Sequence, residues 1–171
     1  MARALLAGLD NPPEPTLPMR SLLLVAAILS IAACGGGRSE PQTRPSAAQF
    51  LTPYGAPTRP FSPAVRVGNM LYLSGQIGVS ANASGTLVPG GIAAETRQTL
   101  ENIKDVLQRT GSSMDRVVKC TVMMADMREW DAMNVVYATY FPTNKPARSA
   151  FGASGLALGA RVEIECWATV D

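Results

Sequence analysis

The residues Arg161 to Val170, RVEIECWATV, alternate strictly: Val162, Ile164, Cys166, Ala168 and Val170 share one face, and Glu163, Glu165, Trp167 and Thr169 the other. Alternation sustained over this length specifies a β-strand with one face in a core. The opposite face is neither plain core nor plain solvent face, because two acids stand beside a Trp. A chain containing this strand must cover the first face with other elements and must also lay the second against something.

The residues from Phe50 onward supply that cover. The stretch AVRVGNMLYLSGQIGV reads as two strands joined at the Gly68-Asn69 turn, where positive φ is tolerated. A Gly- and Ser-rich loop follows, SANASGTLVPGG, and then a helix over Ile92 to Thr110 with Ala93, Leu100, Ile103, Val106 and Leu107 at helical spacing and Gly111 as its stop. DRVVKCTVMMAD is a strand with Val118, Cys120, Val122 and Met124 on one face and Val117, Lys119, Thr121 and Met123 on the other. Asp126 is expected to cap a second helix, with Glu129 completing a capping box and Trp130, Met133, Val136, Tyr137 and Tyr140 giving it bulk. A short strand at Ala147 to Phe151 precedes the long one. The expected order is β-β-α-β-α-β-β, an α+β fold with both helices on one sheet face. Met70, Tyr72 and Trp167 then sit on the other face, and self-association is the economical way to cover them.

With 171 residues, 47% of them hydrophobic, the chain suits one domain with a proper core. It contains no histidine, which removes Ser-His-Asp and Cys-His catalysis and imidazole metal sites. Cys34, Cys120 and Cys166 are far apart and lack metal or redox spacing, so neither a metal nor another cofactor is expected. Cys120 and Cys166 read as small packed hydrophobes, or as a disulfide if their strands adjoin. A formal net charge of +2 without a basic, aromatic-interleaved run gives no footprint for nucleic acid.

Residues Met19 to Cys34, MRSLLLVAAILSIAAC, have a basic start, a short apolar run and small residues before a cysteine. That pattern reads as a lipoprotein signal peptide over 19–33, with cleavage leaving Cys34 as a lipidated first residue. The run is too short to span a membrane. Residues 1–18, acidic and proline-containing, read as an upstream segment before the true start, and 34–55 as a flexible tether to a domain at 56–171. The expectation is an exported protein, lipid-anchored in the bacterial envelope on the periplasmic side, or a cytoplasmic one where the leader is not used.

Across roughly Pro60 to Val170 the segments GNMLYLSGQIGV, ETRQTLENIKDVL, DRVVKCTVMMADMREWDAMNVVYATYF, PARSAF and ARVEIECWATV occur in this order. In these the chain resembles the RidA/YjgF family of reactive-intermediate imine and enamine deaminases. The resemblance implies a chorismate-mutase-like fold, a homotrimer with clefts between subunits, and hydrolysis of 2-imino acids to 2-keto acids and ammonia without a cofactor. It places the substrate carboxylate on Arg148, whose planar fork suits two parallel hydrogen bonds. It makes Glu163 the group that positions water and relays protons. It assigns Ser74 and Gly75, with the neighbouring Gln76, and Asn134 to substrate binding. Phe61 stands where the family has a tyrosine, and Ala150 where close relatives often have cysteine, which bears on turnover and substrate preference. Read without the resemblance, Arg148 could instead close an ion pair with Glu163 or Glu165. A carboxylate-binding module of the same fold without turnover is the alternative function, and the ribonuclease activity attached to some relatives finds no basic groove here.

Overall fold

The computed structural model describes residues 46–56, 58–80 and 85–171. The signal segment, Cys34 and the upstream residues therefore lie outside the described residues. One mixed sheet contains β1 (Gln49–Leu51), β2 (Ala64–Val67), β3 (Met70–Leu73), β4 (Gln76–Ile77), β5 (Val117–Met124), β6 (Ala147–Gly152) and β7 (Val162–Thr169). Its order is β1-β2-β3-β7-β5-β6, with β4 also pairing β7; only the β5–β6 pair is parallel. Helices α1 (Gly91–Arg109) and α2 (Trp130–Tyr140) supply Leu100, Ile103, Val106, Leu107, Met133 and Tyr137 to the core against the inner sheet face.

The long C-terminal strand is the spine of this arrangement. Val162, Ile164, Cys166 and Ala168 are fully buried, while Glu163, Glu165, Trp167 and Thr169 occupy the outer face. On that outer face a row of opposed residues, Phe50, Val65, Tyr72 and Trp167, crosses four neighbouring strands. Tyr72 and Trp167 stack edge to face at 5.1 Å yet stay 37% and 40% exposed. The apolar outer face anticipated from the alternation is thus present and uncovered within the protomer.

Four local expectations differ from the structure, each for an identifiable reason. β1 lies in the stretch read as tether; its three residues gain order by pairing with β2. A register shift between Val117 and Lys119 buries Val117 and turns Val118 outward, 43% exposed, where strict alternation put Val118 inside. In α1, Ala93 is exposed and Ile92 takes the core position; Glu95, Thr96 and Thr99 complete the buried face. Asp126 caps a 3-10 turn, Met127–Glu129, by accepting the Arg128 N–H. Glu129 instead accepts a hydrogen bond from the Arg161 guanidinium, so no capping box forms.

Cys120 and Cys166 stand directly opposite on β5 and β7 and are joined by a disulfide in the buried core. This settles the choice left open by spacing, because antiparallel neighbours place the two side chains on one face.

Other ties fix the geometry near the two ends of β7 and β4. The Glu95 carboxylate accepts the Arg161 N–H at 2.8 Å, anchoring the chain two residues before Glu163. Asn102 on α1 donates to the carbonyls of Ile77 and Val79 at 3.0 and 2.9 Å, holding the end of β4 against the helix. Gly78 permits that approach: a Cβ there would lie 2.8 Å from the Glu95 Cα.

Candidate functional site

β3 and β4 both run along β7, and the chain breaks between them at Ser74 and Gly75. That interruption brings bare backbone against the outer face of β7. A Cβ on Gly75 would fall 2.1 Å from Glu163 Oε1, so the carboxylate occupies the space that any larger residue would take. The Ser74 hydroxyl donates to the Ser62 carbonyl at 2.7 Å, and the Ser74 N–H donates to the Pro63 carbonyl at 3.0 Å. Ser74 therefore pins the segment carrying Phe61 to the strand end. Phe61 and Gly75 line one cavity of about 410 Å³.

Desolvation raises the Glu163 pKa above the ordinary glutamate value, and the charge of Glu165 adds to the rise. The folded state consequently keeps this proton to higher pH than the unfolded chain does. Its contribution to stability is present below the unfolded value and is lost as pH rises through the folded one. Glu163→Gln is expected to raise the melting temperature near neutral pH, with the gain shrinking as pH falls and lost below the unfolded glutamate value, where the group is protonated in both states. Thermal scans across pH check this; a lower melting temperature at neutral pH would contradict it.

Gly75→Ala tests the contact from the other side. The obstructing atoms belong to a flexible side chain, so the fold is expected to persist while the carboxylate moves aside. Under the reading in which Glu163 positions water, a displacement of that size is expected to lower kcat about 100-fold with little change in KM. Steady-state kinetics and a melting curve on the same variant check both parts.

Arg148 lies on β6, where it is opposed to Cys120, which in turn is opposed to Cys166. All three side chains therefore point to the helix side of the sheet. There Arg148 Nη1 donates to Asn134 Oδ1 at 2.7 Å. The guanidinium carbon lies 5.0 Å from the Trp130 ring centre and 4.7 Å from that of Tyr137. Trp130, Asn134 and Tyr137 are spaced by four and three residues, so α2 presents all three on one stripe. Burial pushes the Tyr137 pKa up to about 12, against the opposing pull of the Arg148 charge. Sequence reasoning assigned Trp130 and Tyr137 only to helix bulk; their shared stripe with Asn134 was the available signal.

Among the described residues Arg148 forms no ion pair. The alternative in which it pairs with Glu163 or Glu165 therefore fails within the protomer. Convergence of Arg148 and Glu163 fails there too. Glu163 is opposed to Met123 and Ile77 on the outer face, whereas Arg148 lies on the inner face of an edge strand two places away. Two strand spacings alone amount to roughly 10 Å, and the sheet itself lies between the side chains. The protomer thus carries two separate features: a guanidinium over the rings of Trp130 and Tyr137, and a carboxylate set over a glycine beside a cavity. Among the described residues no cluster of His, Cys, Asp and Glu could hold a metal ion.

The Endoribonuclease L-PSP family profile matches residues 53–170. The mouse protein named 2-iminobutanoate/2-iminopropanoate deaminase is 44% identical over 106 residues, covering 62% of this chain and 78% of its own. A Yersinia pestis crystal structure of the conserved Rid protein family superposes with a TM-score of 0.67 at 38% identity, covering 72% of this chain and all of its own. The Escherichia coli protein TdcF, solved with bound serine, gives a TM-score of 0.63 at 29% identity over 67% of this chain and 91% of its own.

These comparisons correct the expected address. Matched relatives come from mammals, yeast, an archaeon and Arabidopsis, the last named chloroplastic, and none of these names denotes a lipoprotein or an envelope protein. Lipidation of Cys34, the signal peptide and the periplasmic location are withdrawn. The pattern behind them is a short apolar run followed by small residues, a signal of composition, and it lies outside both the matched segment and the described residues. Among the described residues no helix is long and apolar enough to cross a membrane.

Proposed function

The chain belongs to the Endoribonuclease L-PSP family, that of the RidA/YjgF deaminases, and from this membership we propose that it hydrolyses 2-imino acids to 2-keto acids and ammonia at clefts between the subunits of a homotrimer. Relatives 43–46% identical bear the name of this activity. The observation that carries the subunit arrangement is the separation of Arg148 and Glu163 by the sheet, together with the uncovered row of Phe50, Val65, Tyr72 and Trp167. A second copy docking on that outer face buries the row and supplies the missing half of each cleft.

In the cleft, Arg148 of one copy takes the substrate carboxylate, with Trp130, Tyr137 and Asn134 fixing the plane of its guanidinium. The Glu163 carboxylate beside Gly75 on the neighbouring copy orients a water toward the imine carbon. As the water oxygen bonds to that carbon, Glu163 accepts a proton and the C=N electrons move to nitrogen. Glu163 returns that proton to nitrogen, giving the carbinolamine; it then takes the hydroxyl proton and passes it to the same nitrogen as the C–N bond breaks, so that ammonia leaves and the oxygen becomes the keto group. An imine is already electrophilic, so this sequence draws on position and one carboxylate. Phe61 packs beside the substrate without the phenol that its family counterpart offers.

The test generates the imine of 2-aminobutyrate in situ with an amino-acid oxidase and follows ammonia and keto-acid release, alongside sedimentation of the purified chain. Acceleration over the spontaneous rate by a trimer supports the reading. Binding of 2-oxobutanoate in a calorimeter without acceleration would leave the carboxylate-binding module instead.

A further inference from the structure

The cavity beside Gly75 contains a cation that this hydrolysis does not use. Arg59 lines it together with Phe61, and its guanidinium carbon lies 6.0 Å from the Phe61 ring centre. Among the described residues no carboxylate pairs with Arg59. Asp105 also lines the cavity, but its charge is already engaged. It accepts the Tyr54 hydroxyl at 2.8 Å and Arg109 Nε at 2.9 Å, and these two partners hold its pKa down. What faces the space with unspent charge is positive.

The cavity lining beside Gly75 is mixed, with Gln76 and Asn102 as polar members and an apolar part beside them. Ile77 and Leu158 line the same cavity as Phe61. Leu158 adopts φ 59, in the left-handed region that a branched side chain rarely enters, and stays 66% exposed. A volume of about 410 Å³ exceeds what the side chain of a three- or four-carbon imino acid fills. The cavity therefore offers, besides Gly75, apolar surface for methylene groups and a guanidinium at Phe61.

The geometry points to Arg59 as a specificity-determining residue that selects short 2-imino dicarboxylic acids, its guanidinium taking the distal carboxylate while Arg148 of the neighbouring copy takes the one beside the imine. This rests on the deaminase reading of the same site. The reaction is unchanged: water replaces the imine nitrogen, ammonia leaves, and the distal carboxylate passes through untouched. Charge-assisted, forked hydrogen bonding makes Arg59 selective between a carboxylate and a methyl group at that end of the substrate.

Calorimetry on the full chain compares 2-oxoglutarate with 2-oxopentanoate, stable acids matched in length, for the wild type and for Arg59→Ala, Arg59→Lys and Arg59→Glu. A parallel turnover assay compares the imines of glutamate and norvaline formed in situ. The wild type is expected to favour the dicarboxylate about tenfold in both measurements. Arg59→Ala should bring the ratio near one, Arg59→Glu should invert it, and Arg59→Lys should retain part of it. Raising the salt concentration should shrink the wild-type ratio, since the site opens to solvent. A wild-type ratio of one, or a ratio that Arg59→Ala leaves in place, overturns the assignment. If the wild type hydrolyses neither imine, the deaminase reading fails, and the calorimetric ratio still decides the role of Arg59.

Discussion

Arg148→Ala is expected to lower kcat/KM for the imine of 2-aminobutyrate by about 1,000-fold, the scale of removing one partner from a desolvated, hydrogen-bonded charge pair. The loss should fall on catalysis and not on folding. Arg148 makes no ion pair among the described residues, and its contacts are one hydrogen bond to Asn134 and two ring faces. Arg148→Lys should recover little, because an ammonium neither lies flat between Trp130 and Tyr137 nor presents a fork. The division of the site makes a second measurement decisive. Arg148→Ala and Glu163→Gln chains, each inactive alone, should regain activity when unfolded together and refolded. In a randomly mixed trimer about a quarter of the clefts combine an intact guanidinium with an intact carboxylate. Absence of recovery in verified mixed trimers would rule out a cleft built from two chains.

Removing the disulfide between Cys120 and Cys166 is expected to cost about 4 kcal/mol of unfolding free energy by loop-closure entropy over the sequence separation of 46 residues. The bond ties β5 to β7 at the centre of the sheet, with both cysteines fully buried. Cys166→Ala also leaves a small cavity, so the cleaner comparison is the wild type unfolded in urea with and without reductant. The midpoint should fall with reductant while the slope changes little. Alkylation in denaturant without reductant, followed by peptide mass spectrometry, should find Cys120 and Cys166 unlabelled and joined in one peptide pair. Labelling of both under those conditions would show that they are free thiols.

The large elements were legible because their signals are periodic. Alternation in Val162 to Val170 and helical spacing in Leu100, Ile103, Val106 and Leu107 depend only on the chain itself, and both stand in the structure. What escaped depends on partners. β1 is three residues of weak pattern that pairing with β2 makes into a strand. Val118 faces outward because β5 slips by a residue against β7, which no single-strand pattern records. Glu129 matched a capping box in spacing, but the Arg161 guanidinium, distant in sequence, claimed it.

The site divides in the same way. The resemblance singled out Arg148 and Glu163; that they lie on opposite sheet faces required the parallel register of β6 on β5. Ser74 reads as a ligand residue in sequence, and the structure adds that its hydroxyl donates to the Ser62 carbonyl. Gly75 reads as an accessible amide, and the structure adds that its missing side chain is the seat of the Glu163 carboxylate.

Rooting the two halves in different layers also loosens the link between them in evolution. The aromatic bracket around Arg148 belongs to a packed helix, whereas Arg59 and Phe61 ride on a surface segment secured through Ser74. Under the proposed function, substitutions in that segment would retune which side chains the cleft admits without repacking the bracket.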